Sequence, residues 1–322
     1  MKNKKRLLIA LLAFMPMASY ADYIVYAKGS KLAIPDEKIS GALLLGTNTG
    51  ILRMLNPEDK EILKEVNVGQ SSVKDIHYLD EKIYLLVDNL LKVYSKSGEF
   101  IEEKSFANLG STQSIKIGSD GNVYSAGGYI QSIDYETGVL NYSYSSTYIF
   151  GDVDLTSNKI YFVDGNYRLL IMDYSGNVLD VKTYGTNQNP YGVGANEAGV
   201  FGVNVSGGTK IYNSDGSLRC SGGLSGGTKA MKIELDEEYA YATKANTGHS
   251  NQGVYKLRLS DCSLVWDYNK SEGAGGGSAV TIDDSGNGYF ADGLEVFKVN
   301  SLNKEEWVYN STGSVISMEY MD

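Results

Sequence analysis

The chain has 322 residues, 42% hydrophobic and 21% charged, with 37 Gly, 4 Pro, 25 Tyr and a net charge of −10. An acidic surface repels phosphate backbones and anionic lipid heads, which argues against nucleic acid as a partner. Many Gly and Tyr with little Pro suit short strands joined by tight turns.

The first residues, "MKNKKRLLIALLAFMPMASYA", read as a targeting segment. Lys2, Lys4, Lys5 and Arg6 form a basic head, and Leu7 to Met15 is an apolar run of nine residues. Ser19-Tyr20-Ala21 supplies small residues where a signal peptidase reads. Nine apolar residues fall short of the ~20 that span a bilayer. The pattern predicts a cleaved signal at 1–21 and an exported chain, periplasmic or secreted, with no later membrane span. Without the four basic leader residues the balance is 25 Lys and Arg against 39 Asp and Glu, a net charge of −14. Residues 22–40 read as an N-terminal arm, and residues 41–322 as one repeat domain.

From residue 79 a turn recurs in which a polar or Gly-containing tip precedes an apolar and then an aromatic residue. It reads "LDEKIYLLVD", "SDGNVYSAGG", "TSNKIYFVDG", "NEAGVFGVNV", "DEEYAYATKA" and "DSGNGYFADG". The aromatic residues Tyr84, Tyr124, Tyr161, Phe201, Tyr241 and Tyr289 are spaced by 40, 37, 40, 40 and 48. A second turn keeps step with the first: "VYSKSGEFI", "IDYETGVLN", "MDYSGNVLD", "YNSDGSLRC", "LRLSDCSLVW" and "VNSLNKEEW". Gly98, Gly138, Gly176 and Gly216 mark four of its tips, with Cys262 and Asn303 near that point in the last two.

Two turns and four alternating strands in about 40 residues are the signature of a β-propeller blade. Six full copies are predicted at 73–106, 112–146, 148–185, 190–224, 230–271 and 276–312. The C-terminal "SVISMEYMD" looks like a first strand alone, and "GALLLGTNTGILRMLNPEDKEILKEVNVG" like second, third and fourth strands without a first. Joined, they predict a seventh blade that closes the ring through both ends of the chain. The fold class is therefore all-β, a seven-bladed propeller of four-stranded antiparallel blades, with eight blades as the alternative.

The turns resemble those of two propeller families. "DSGNGYFAD" at Asp284 to Asp292 and its counterparts are similar to the first hairpins of NHL-like (YVTN-type) repeats. "LRLSDCSLVWDYN" and "IDYETGVLNYSY" resemble PQQ-like repeats. These families include scaffolds, receptors, hydrolases and quinone enzymes, so the resemblance implies a fold more than an activity. The adjacent Cys pair and Trp floor expected of a quinone enzyme are not in the sequence.

In such rings the loops between second and third strands share a face with those between blades. That face would collect Asp88, Asp164, Tyr167, Arg168, Asn187, Gln188, His249 and Asp292 within Gly/Asn/Ser-rich loops, a composition suited to recognition. Asp88, Asp164 and Asp292 end their second strands at matching positions. Either they ring the channel and hold a cation such as Ca²⁺, or each fixes its own turn by bonding backbone groups. Tyr167 and Arg168 could stack on and pair with a sugar or carboxylate. His249 lies in the longest loop, and His77 in a first strand, near the channel. Neither a catalytic triad nor a phosphate loop is spelled out. No cofactor is expected beyond such a cation. Cys220 and Cys262, the two cysteines of an exported chain, are expected to pair.

The function expected is a non-catalytic binding or scaffold module for a protein or glycan partner. A metal-dependent hydrolase or lactonase with its site at the channel mouth is the alternative.

Overall fold

The computed structural model describes residues 41–106, 109–145, 151–164, 166–186, 188–223, 228–246, 252–270 and 277–321. They form seven four-stranded antiparallel sheets. Blade 1 is built from both ends of the chain: β28 (Val315–Met321) inside, then β1 (Ala42–Thr47), β2 (Ile51–Leu55) and β3 (Ile62–Asn67). Blade 2 is β4 (Val73–Leu79), β5 (Lys82–Val87), β6 (Leu90–Ser95) and β7 (Phe100–Ser105). Blade 3 follows as β8 (Thr112–Ile117), β9 (Asn122–Gly127), β10 (Tyr129–Asp134) and β11 (Leu140–Ser145). Blade 4 is β12 (Asp152–Leu155), β13 (Ile160–Asp164), β14 (Arg168–Met172) and β15 (Val178–Thr183). Blade 5 is β16 (Pro190–Ala195), β17 (Phe201–Val205), β18 (Gly208–Tyr212) and β19 (Leu218–Gly223). In blade 6 come β20 (Thr228–Leu235), β21 (Tyr239–Asn246), β22 (Gln252–Arg258) and β23 (Leu264–Lys270). Blade 7 is β24 (Gly277–Ile282), β25 (Gly288–Asp292), β26 (Glu295–Val299) and β27 (Glu305–Asn310).

The seven-bladed count and the shared blade are as the sequence predicts. β28 pairs with β1 from Ala42↔Met321 to Thr47↔Val315, and this pairing closes the ring. Burial explains the alternation of residue types. Second strands such as β13 (IYFVD) and β17 (FGVNV) are buried on both faces, because a neighbouring blade covers each side. Fourth strands such as β15 (VLDVKT) lie at the perimeter and are half exposed. Each blade carries a β-bulge at the same place between its third and fourth strands, from Met54/Leu55 in blade 1 to Lys298/Val299 in blade 7. A bulge bends the outer strand and increases twist.

The recurring second-strand aromatics are all buried and fill the wedge between blades. Tyr161 packs on Phe201 of the next blade at 4.9 Å between ring centres, and Tyr289 stacks on Tyr320 at 5.9 Å. Three of them also find acids in the preceding turn with their hydroxyls: Tyr124 donates to Asp120 at 2.6 Å, Tyr241 to Asp236 at 2.9 Å and Tyr289 to Asp283 at 2.8 Å. Residue type at these positions thus sets packing and turn together.

The second turns have a shared role as well. Their tips take positive φ at Gly98, Gly138, Gly176, Gly216, Cys262 and Asn303. Each described glycine tip rests on the preceding blade: a Cβ on Gly98 would meet Val66, and one on Gly176 would lie 2.5 Å from the Tyr142 ring. Glycine serves the backbone and the close approach at once. In blade 6 the tip is Cys262, and its sulfur is bonded to Cys220 of blade 5.

Candidate functional site

The seven first strands are edge strands, and their free backbone groups face the ring axis. Unpaired buried N–H and C=O groups are costly, so side chains of neighbouring blades supply partners. Asp75 Oδ2 accepts from Ile115 N at 2.8 Å, Asp152 Oδ2 from Val193 N at 3.1 Å and Asp154 Oδ2 from Ala195 N at 2.7 Å. Ser317 Oγ donates to Val73 O at 3.1 Å, and Thr281 Oγ1 accepts from Tyr320 N at 3.1 Å. At four of the seven junctions between blades, neighbouring first strands are stitched together by side chains that the sequence presents as ordinary polar alternation.

On the axis a partly open cavity of about 30 Å³ is bordered by Asp152, which is buried, and by Asp75, Lys116, Asp154, Lys232, Glu234 and Glu319, which are half-buried. That is room for two or so waters. Lys232 lies 2.6 Å from Asp152, across from blade 6 to blade 4. Lys116 of blade 3 stands 3.9 Å from Glu319 of blade 1 and 4.0 Å from Asp154 of blade 4. His77 Nε2 is 3.2 Å from the Ile117 carbonyl, and its Nδ1 is 3.6 Å from Glu319.

Desolvation and mutual charge set the proton affinities here. Burial, only partly offset by Lys116 and reinforced by Asp154, Glu319 and Asp152, pushes the Glu234 carboxyl up to about 8. Burial likewise raises Asp75 against Lys232 and Lys116, and raises Asp154 against Lys116. Burial opposes ionisation of Glu319 too, but Lys116 and His77 outweigh it and hold that carboxyl below its usual range. Both lysines stay charged: burial works against them, but Glu319 and Asp154 around Lys116, and Asp152 and Asp75 around Lys232, hold them above their ordinary values.

The residues expected on the loop face are placed apart from this axis. Asp164 is 1% exposed, and it fixes its own turn. Its Oδ1 accepts from Asn166 N at 3.0 Å and Arg168 N at 3.1 Å, while Oδ2 holds the Arg168 guanidinium at 2.6 Å. Arg168 is thereby engaged within the turn, and Tyr167 takes positive φ beside it, its ring packed on the blade 4–5 core. Asp88 is exposed at the β5–β6 turn with φ 55°, and its carbonyl accepts from Lys74. Asp292 is buried at the end of β25 opposite Gly277 and Glu295. Gln188 accepts from Lys210 at 2.9 Å. Asn187 and His249 lie outside the described residues. Among the described residues no three His, Cys, Asp or Glu side chains converge as a metal site would require.

The axial cluster is what loop-centred reasoning missed. The signal for it was present: the first strands "VKDIHYL", "TQSIKI", "DVDL" and "VISMEYM" carry charges between apolar residues. In a ring, such a strand turns its edge to the axis, so its charges must meet there.

A second concavity of about 720 Å³ opens on the opposite face from the loop residues, between the first turns of blades 5, 6 and 7. Glu197, Asp236, Glu237, Glu238, Asp283 and Asp284 border it. Asp236 and Asp283 are committed to their own turns, accepting from Tyr239 N and Asn287 N.

No protein-family model matches the chain, and no curated protein matches it. Among solved structures, the computationally designed Ika8 protein is similar over 88% of this chain and 88% of its own, at 12% identity and a TM-score of 0.65. The Pan2 WD40 domain of Neurospora crassa is similar over 89% of this chain and 94% of its own, at 12% identity and a TM-score of 0.62. At such identities the likeness is one of fold alone. Among the described residues no helix is long and apolar enough to cross a membrane. The chain is a seven-bladed β-propeller closed by its own terminal strands.

Proposed function

We propose that the chain is an exported, non-catalytic binding or scaffold propeller that meets a protein or glycan partner on its Gly/Asn/Ser-rich loop face. The observation that carries this reading is the filled axis. Charged and apolar side chains leave about 30 Å³ there, too little for an organic substrate, so a ligand is met on the ring's faces. A rigid ring presenting loops is suited to that task. The leader motif supports export. In this reading the Gly-rich sequence segments around Asn187 and His249 supply the recognition residues.

The test is cross-linked capture with the mature protein in its native extracytoplasmic fraction, read by mass spectrometry. One dominant partner is expected, lost when the His249 loop is shortened and kept when Glu237 and Glu238 on the other face are changed to Lys. The opposite pattern would move the site to the acidic face. Turnover of a lactone or ester by the purified protein would replace the binding reading with the enzymatic one.

A further inference from the structure

The axis holds more carboxyls than cations. Five carboxyl side chains and two lysines surround the cavity. Lys232 is matched to Asp152, and Lys116 is shared between Glu319 and Asp154. Asp75 and Asp154 are further compensated by the backbone N–H groups of Ile115 and Ala195. Glu234 is the surplus group. Across the cavity it faces Asp75 on β4, Lys116 on β8, Asp152 and Asp154 on β12, and Glu319 on β28, with Lys232 on its own strand and His77 of β4 against Glu319. The flanking strands β16 and β24 bring no charged side chain. Tyr241, its register partner on β21, turns its hydroxyl to Asp236. Tyr191 on β16 bonds Ser206, and Lys210 on β18 bonds Gln188.

Glu319, the nearest competitor for Lys116, rides on the strand that closes the ring. β28 is joined to β1 by strand pairing and to the axis by Glu319. Glu234 is half-buried, and withdrawing β28 would open it further to water and free Lys116 to pair with it. Both changes favour the ionised carboxylate.

We propose that closure of the ring is proton-linked: the β28 seam is held shut while the Glu234 carboxyl keeps its proton, and loosens when that proton is lost. The closed seam binds the proton more tightly than the open one. The opening constant therefore rises about tenfold per pH unit over the interval in which the two forms differ by one proton, and levels off above it.

Hydrogen exchange of the β28 and β1 amides in the mature protein between pH 5 and 8 tests this. Exchange by rapid opening and closing already speeds up about tenfold per pH unit through base catalysis, and the seam should add another tenfold. Wild type should therefore show about a hundredfold increase per unit at the seam, and Glu234→Gln only tenfold. A tenfold slope in the wild type, or a hundredfold slope retained in Glu234→Gln, overturns the proposal. So do identical rates at the seam and in the core of blade 4, which would place the linkage in global unfolding. A ¹³C titration of the Glu234 carboxyl gives an independent reading, and a midpoint in the ordinary glutamate range also sinks it.

Discussion

Cys262 of blade 6 reaches back to Cys220 of blade 5, Cα to Cα 5.6 Å, at the boundary position where Gly98, Gly138, Gly176 and Gly216 rest on the preceding blade without a covalent link. The disulfide is thus the covalent form of a contact repeated around the ring. Its sequence separation of 42 closes a loop long enough for the chain-entropy model to assign about 4 kcal/mol. Changing both cysteines to Ser should lower the denaturation midpoint by an amount equivalent to about 2–4 kcal/mol. Equal midpoints for oxidised wild type and the double variant would show that packing at this boundary suffices.

The β28 seam admits no extra volume. A Cβ on Gly46 would overlap Ser317 Oγ and Val73 Cγ1, which stand on the two first strands beside it. Gly46→Ala should therefore cost about 1–3 kcal/mol, the usual penalty of overpacking. Deleting residues 315–321 should abolish cooperative unfolding altogether. A deletion variant with a sharp thermal transition near the wild-type midpoint would contradict the closure described here.

Asp164 should behave as a turn residue. Asp164→Ala removes the acceptor of two backbone N–H groups and of Arg168, and should destabilise by about 1–3 kcal/mol without changing the metal content of the purified protein. Asp164→Asn keeps Oδ1 and should recover part of the loss. Stoichiometric Ca²⁺ that disappears in Asp164→Ala would restore the cation reading of this position.

Stability should fall on the alkaline side. The Glu234 carboxyl is raised in the folded chain from an ordinary 4.5 to about 8. The folded form therefore binds this proton more tightly, and its contribution is complete below the ordinary value and lost as pH rises to about 8. The full interval corresponds to at most about 5 kcal/mol. Glu319 works in the other sense: depressed in the folded state, it contributes above the ordinary glutamate value and is lost on acidification. Thermal melts from pH 5 to 9 should show Glu234→Gln gaining on wild type as pH rises. A constant difference across that range would remove Glu234 from the pH response.

The ring was legible in the sequence because each blade repeats two turns whose geometry demands particular residues. A positive φ recurs at the tip of the second turn, and an aromatic ring must fill the wedge beside Tyr84, Tyr124 or Tyr161. The axis was not legible in the same way. Asp152, Lys116, Lys232 and Glu234 come from blades 4, 3 and 6, and nothing local says that they meet. Their alternation with apolar neighbours has the form of a half-solvated strand, and only ring closure turns that solvated side inward. The acids quoted at the loop ends, Asp164 above all, drew notice because they recur, and their recurrence serves the turn.

The division of blade 1 between the chain's two ends has a consequence for the order of assembly. Its second, third and fourth strands, residues 42–67, emerge from the ribosome before any other strand of the ring, and the strand that completes the blade, residues 315–321, emerges after all of them. Contacts at this separation are slow to form because so much chain entropy is lost at once. Until they do, Leu43 and Leu45 lack Met318, and the core they build with Tyr289 stays open. A nascent or clipped chain without those seven residues would expose that apolar face, which is what chaperones and proteases recognise. Strand order along the chain thus leaves this apolar face uncovered until the last strand of the ring is in place.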